Sequence, residues 1–298
     1  MATPGYTVSM ISFFAAKTKG YYAAEGLDVE LLATRAPTAN LAVLSGSVEF
    51  SAVPLAGLTT ALRGAPLRLL FVAFDKPQHE LFTKPELQDI KALRGKKIAV
   101  AGIGTIGEVI LREYLTAHGI DATHDMTLLG MGAPETRLAS LVSGTVDAAQ
   151  LIAPYTLNAK EAGFRSIVVF KDHNFVLPSG GLVAREEILR SDPLMVEKFV
   201  RASLMGFLFA RANRMEAIKV LVRNLKIDEP MAATIYDSSR LTMTNDGALS
   251  EDEQKKMIAF FNKIAGVKDT SGAEKVFDFS FLRKAYETLQ AKGWKPAS

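Results

Sequence analysis

Three glycines raise the question of what chemistry this chain could carry. Gly102, Gly104 and Gly107 lie in the stretch AVAGIGTIGE, residues 99–108, where an apolar strand end runs into a helix. That is the spacing with which a dinucleotide is clamped at a helix start. It also serves any fold whose backbone must bend tightly or approach another group closely. The other residue types are restrictive. With no cysteine, disulfides, thiolate metal sites, iron–sulfur clusters and a thiol nucleophile are excluded. His79, His118, His124 and His173 never recur four residues apart, so no metal site is expected. No Gly-x-Ser-x-Gly elbow occurs; Ser45-Gly46 and Ser143-Gly144 read as helix stops. Glu186 and Glu187 are adjacent at a helix start and do not face one another. No catalytic residue and no cofactor is assigned.

The dinucleotide reading needs an acidic residue at the end of the following strand to hold a ribose hydroxyl. That strand ends Leu128-Leu129-Gly130-Met131-Gly132, with Asp125 at its wrong end. The better reading is a helix whose free N–H groups and partial positive charge face a small anion, a carboxylate or sulfonate.

The elements that must position such a site come in two sets. LAVLSGSVEFSA at 41–52 is echoed by LASLVSGTVDAA at 138–149, with Ser45-Gly46, Val48 and Glu49 matching Ser143-Gly144, Val146 and Asp147 at an offset of 98. Gly26-Leu27-Asp28 resembles Gly119-Ile120-Asp121 at an offset of 93. Each half reads as alternating helices and short strands, including Val29–Leu32 and Met126–Leu129, which predicts two α/β lobes with mainly parallel sheets flanked by helices. From about Arg185 the pattern is helical: Asp192–Arg211, Arg214–Leu225, Glu229–Thr242, Ser250–Ile264 and Phe281–Lys292. This tail is expected to pack on the first lobe. Two extended crossings, Phe71–Lys84 and Val169–Val183, make the middle segment an insertion. The expected division is residues 1–75 with 184–298 as lobe I, and 76–183 as lobe II including the crossings. A ligand cleft between the lobes is the expected consequence.

The chain has 298 residues, 48% of them hydrophobic, and Lys plus Arg number 35 against 32 Asp plus Glu. Its basic cluster, Lys91, Arg94, Lys96 and Lys97, is too sparse for a nucleic-acid stripe. No apolar run is long enough to span a bilayer, and Met1-Ala-Thr-Pro-Gly-Tyr-Thr-Val does not read as a secretory leader.

The segments AAKTKGYYAAEGLDVELL, LAVLSGSVEFSAVP, LRGKKIAVAGIGT, RLASLVSGTVDAAQLIAPY and FDFSFLRKAYETL resemble the periplasmic solute-binding proteins of the nitrate, sulfonate and taurine class of ABC transporters. These share a superfamily with thiamine-pyrimidine synthesis proteins. The resemblance covers nearly the whole chain. It implies a two-lobed periplasmic-binding-protein fold of type II, hinge closure on a small-molecule ligand, a membrane permease as partner, a monomer and a periplasmic location. In such proteins a strand precedes the loop aligning with Thr3 to Met10. Here only Met1-Ala2 stand before Thr3, so the expectation is a truncated chain that has lost its leader and its first strand, leaving an incomplete sheet. Shifting Ala99–Ile103 by 93 lands on Tyr6–Met10 as an alternative strand.

Four loops should line the cleft: Ser9, Met10, Ile11 and Ser12; Val53, Pro54 and Leu55; Gly104, Thr105 and Ile106; and Pro154 with Tyr155 after Ala153. Met10, Ile11, Val53 and Ile106 read equally well as core. The loops contain hydroxyls and a phenol but no Arg or Lys, too little to repay the desolvation of nitrate. The expected ligand is a small organic acid or sulfonate, or an aromatic compound. The competing classes are an enzyme of the same superfamily and a cytosolic ligand sensor. The resemblance links the first to a cysteine-rich motif in pyrimidine synthesis or a cysteine nucleophile in a desulfinase, neither of which this sequence has.

Overall fold

The computed structural model describes residues 1–3, 5–34, 36–173, 175–265 and 272–296. The chain forms two compact units, Met1–Lys76 with Val176–Ser298, and Pro77–Phe175. Among the described residues no helix is long and apolar enough to cross a membrane.

Unit 1 is built on β1 (Ala2–Thr3), β2 (Leu32–Ala33), β3 (Phe50–Ser51), β4 (Leu67–Phe74) and β10 (Ser179–Arg185), in the order β2-β1-β3-β10-β4. Unit 2 holds β5 (Glu80–Thr83), β6 (Lys97–Val100), β7 (Thr127–Gly130), β8 (Ala148–Leu151) and β9 (Arg165–Val169), in the order β7-β6-β8-β5-β9. The two orders are the same diagram. β1, β2, β3 and β4 take the places of β6, β7, β8 and β9, while β10 and β5 are each the first strand laid down after the chain enters that unit. Three neighbouring strands are parallel in each sheet, and the entering strand pairs antiparallel with both of its neighbours. Four of the five strands in each sheet therefore run the same way, as expected, and the sheets are mixed because each incoming strand inserts between two strands that run the other way. The boundary expected after residue 183 falls inside β10, whose pairing with β3 and β4 places it whole in unit 1.

The repeat persists in the hydrogen bonds. In unit 1 the Thr34 N–H donates to the Thr3 carbonyl, and in unit 2 the Gly132 N–H donates to that of Ala101; both positions are offset by 98. Ala2–Thr3 thus form the strand at this place in the repeat. Tyr6–Met10 do not: Val8–Met10 form a 3-10 turn.

In chain order the helices of the first half are α1 (Ile11–Thr18), α2 (Tyr21–Ala24), α3 (Ala36–Leu44) and α4 (Pro54–Leu62), and those of unit 2 are α5 (Ile106–Ala117), α6 (Pro134–Val142) and α7 (Tyr155–Glu161). The helix stops match between units. After α3 the N–H of Gly46 donates to Val43 and that of Val48 to Ala42; after α6 Gly144 donates to Leu141 and Val146 to Ser140. Both glycines hold φ near 75°, at +75° and +76°, the left-handed turn that lets such a cap close. Ser45 and Ser143 each donate a side-chain bond back into their helix at 3.1 Å.

The C-terminal helices α8 (Glu186–Ser191), α9 (Pro193–Ala212), α10 (Arg214–Leu225), α11 (Glu229–Arg240), α12 (Glu251–Ala265) and α13 (Ser280–Ala291) complete unit 1. Asp192 and Asp228 cap α9 and α11 through the N–H groups of Met195 and Met231. The long α9 lies along α1, and Gly206 makes that possible: a Cβ there would sit 2.1 Å from the Ser12 carbonyl oxygen. Phe50 stacks on Phe199 with ring centres 4.0 Å apart, Tyr22 hydrogen-bonds Ser203 at 2.9 Å, and Arg201 pairs with Glu25. These contacts bind the tail to the first sheet. Unit 2 has its own core of Phe82, Ala99, Leu141, Val146, Ala149, Leu151 and Ala159, with Tyr155 and Leu138 packed at its margin.

Candidate functional site

In open α/β sheets ligands gather at the carboxyl ends of the parallel strands. Each unit has such an edge, where β1 and β3, or β6 and β8, hand over to the next helix. The candidate residues sit at these four hand-overs.

In unit 1, β1 leads through the Val8–Met10 turn to α1. The Ser9 and Thr7 hydroxyls lie 2.8 Å apart, and the Ser9 carbonyl is packed where a Cβ on Gly180 would lie. Met10, Ile11 and Ser12 are fully buried. They serve as core because α1 is apolar through Ile11, Phe13 and Phe14 and packs beneath α9. The Ser12 hydroxyl has no partner among the described residues. After β3, the Val53 N–H donates to the Ser51 hydroxyl at 3.1 Å and its carbonyl accepts from Asn40 at 3.2 Å. Pro54 opens α4 against Gly181. Ser9 and Leu55 are half-buried, and Val53 and Pro54 are buried.

In unit 2 the glycine turn answers the question it posed. The Gly104 N–H donates to Glu108 Oε2 at 3.1 Å, and Thr105 Oγ1 donates to the Gly102 carbonyl at 2.7 Å. The anion at this helix start is the chain's own carboxylate, itself paired with Arg112. Gly102 lies against Gly130, and Gly107 gives room to Gln150: a Cβ on Gly107 would meet Gln150 Oε1 at 2.1 Å. Gly102 and Gly107 are there for close packing and Gly104 for its left-handed φ of +77°, and Gln150 donates back to the Gly107 carbonyl at 2.8 Å. Thr105, Ile106, Pro154 and Tyr155 are half-buried and Gly104 is exposed. Burial, with the negative charge of Glu135 beside it, pushes the Tyr155 phenol up.

Sequence reasoning missed the residues that give this edge its charge. Arg137, on α6, is 3% exposed. Its Nε donates to the Gln150 carbonyl at 2.7 Å and its Nη1 to the Gly132 carbonyl. Burial pushes the guanidinium down to about 10. Burial, and then the positive charge of Arg137, pushes His79 down to about 3, so its ring is neutral; its Nδ1 has no partner among the described residues. Arg137 lies inside α6, and His79 lies just before β5, outside the four loops from which the site was read. One signal was available. Arg137 falls on the same α6 face as the buried Leu141, four residues on, so a charge occupies an apolar stripe.

The matched positions of unit 1 differ. At the offset of 98, Arg137 and Gln150 correspond to Ala39 and Ala52, both buried. One edge carries hydroxyls, an amide and alanines; the other carries a guanidinium, an imidazole and an amide.

Known proteins fit this geometry. A riboflavin-binding protein, RibY of Chloroflexus aurantiacus, is 26% identical over 224 residues, covering 70% of this chain and 61% of that protein's length. The aliphatic sulfonate-binding protein SsuA of Escherichia coli has the same fold at 18% identity and a TM-score of 0.71, covering 92% of this chain and 96% of that one. The desulfurization enzyme DszB also has the fold, at 14% identity and a TM-score of 0.71, over 97% of this chain and 99% of that one. Residues 7–217 match the NMT1/THI5-like family, and the chain belongs to that family.

Proposed function

We propose that this protein is the solute-binding component of an ABC importer, working in the periplasm and handing its ligand to a membrane permease. The observation that supports this most is the match of residues 7–217 to the NMT1/THI5-like family, in a chain whose two units each carry a carboxyl edge of the same topology. The ligand is a small organic acid, a sulfonate or an aromatic compound. Among the curated relatives, the riboflavin-binding protein takes an aromatic solute; among the structures of the same fold, SsuA takes an aliphatic sulfonate. The candidate residues Ser9, Leu55, Thr105, Ile106, Pro154 and Tyr155 would meet it at the surface, with Met10, Ile11, Ser12, Val53, Pro54 and Gly104 supporting them. Capture by both units favours a closed state by the ligand's differential affinity for it.

Fold similarity alone does not separate binding from catalysis, since SsuA and DszB match equally well. The absence of cysteine does weigh here, because it removes a thiol route. Titration calorimetry of the purified chain with riboflavin, pentanesulfonate, benzoate and nitrate tests the reading. The expected result is one organic ligand per chain and no nitrate binding. Tight nitrate binding with no organic ligand would overturn it.

A further inference from the structure

The observations lead to a residue outside the four loops. Arg137 is more buried than the ion-paired arginines of the other unit. Arg68 pairs with Glu186 at 2.7 Å, Arg185 with Glu187 at 3.3 Å and Arg201 with Glu25. Arg137 forms no ion pair among the described residues. Its two hydrogen bonds go to neutral carbonyls, and no described residue accepts from Nη2. A buried guanidinium held only by carbonyls is costly, and a chain that keeps one without a carboxylate leaves a place for an outside anion.

The fold does not require the charge, because the same repeat position in unit 1 is Ala39. The fork is held by its two carbonyls at the ends of β7 and β8, so it is pre-organised before any ligand arrives. The rival anion site, the start of α5, is already filled by Glu108. Glu135 acts on the charge of Arg137 from two residues away but stands beside Tyr155 and forms no ion pair with it.

We infer that Arg137 is the specificity-determining residue of the unit 2 edge, and that its free guanidinium nitrogen selects a solute bearing an anionic group over its neutral isostere. The inference rests on the solute-binding reading and extends it to a named residue. His79, a neutral ring beside the guanidinium, would leave that charge to the solute.

The test uses matched pairs on the full chain: benzoate against benzamide and pentanesulfonate against pentanesulfonamide, by calorimetry at pH 7.5. In the wild-type protein the acid of a pair should bind at least about 30-fold more tightly than its amide, the scale of a hydrogen bond to a charged group. Arg137→Gln should remove that preference, and Arg137→Lys should keep part of it. Far-UV circular dichroism checks that both variants fold, and the wild-type preference is read without any variant. Equal binding of acid and amide, or an unchanged preference in Arg137→Gln, overturns the assignment while leaving solute binding intact. If no pair member and no riboflavin binds the wild-type chain, the solute-binding reading falls with it.

Discussion

Placed position by position, the two units agree where they turn and differ where they could meet a ligand. Gly46 and Gly144 hold the same φ to within a degree, Ser45 and Ser143 make the same bond, and the five strands follow one order. At the carboxyl edge Ala39 stands for Arg137 and Ala52 for Gln150. Backbone geometry tolerates few residues at a left-handed cap, whereas the edge needs only to be filled, so its chemistry is free to differ.

The packing of Gln150 against Gly107, where unit 1 has Ala52 at the Gln150 position, is the sharpest point to attack. Gly107→Ala should cost about 3 kcal/mol in chemical denaturation, because overpacking and the lost Gln150 bond outweigh the helix propensity gained. Adding Gln150→Ala should recover at least half of that loss. Strictly additive costs would break the pairing. Charge gives the next contrast. Arg201→Ala leaves Glu25 largely buried and alone, with an expected loss of about 2 kcal/mol. Arg137→Met removes a charge that has no acid to strand, and should change stability by less than about 1 kcal/mol.

Acid sensitivity should belong to unit 2, which contains all four histidines. His79 is depressed in the folded state, so as pH falls through 6.5 the unfolded chain takes up a proton that the folded chain refuses until about pH 3. Its contribution is intact above pH 6.5 and declines below it, by up to about 1.4 kcal/mol per pH unit. Urea midpoints from pH 7 to 4 should show the decline, and His79→Gln should flatten it. The smallest effect tests the likeness itself: Gly46→Ala and Gly144→Ala should each cost about 1 kcal/mol and agree to within roughly 0.5 kcal/mol. A large disparity would mean the two caps are not equivalent.

Much of the fold was legible because it is local. Ser-Gly stops and Pro or Asp helix starts fix the turns, and Arg214–Leu225 forms the helix expected of it. The place of β10 was not legible, since a strand that returns after a hundred residues pairs by long-range contacts. Nor was the mixed sense of the sheets. For the candidate site, the four loops were read from repeat symmetry, and of their residues Met10, Ile11 and Ser12 are turned inward with the apolar face of α1. Arg137 and Gln150 went unseen because a side chain reaching an edge from within a helix or strand leaves no loop signature, and His79 because it precedes β5 outside the four loops. For Arg137 the misplaced charge on an apolar stripe was the only trace.

The most direct test of solute binding is mass spectrometry of the purified chain, first under native conditions and then after prolonged incubation with the solute it holds. One solute per chain, released with its mass unchanged, is the predicted result. Accumulation of a product of different mass, or a chain that retains none of the organic acids, sulfonates or aromatic compounds offered, would contradict it.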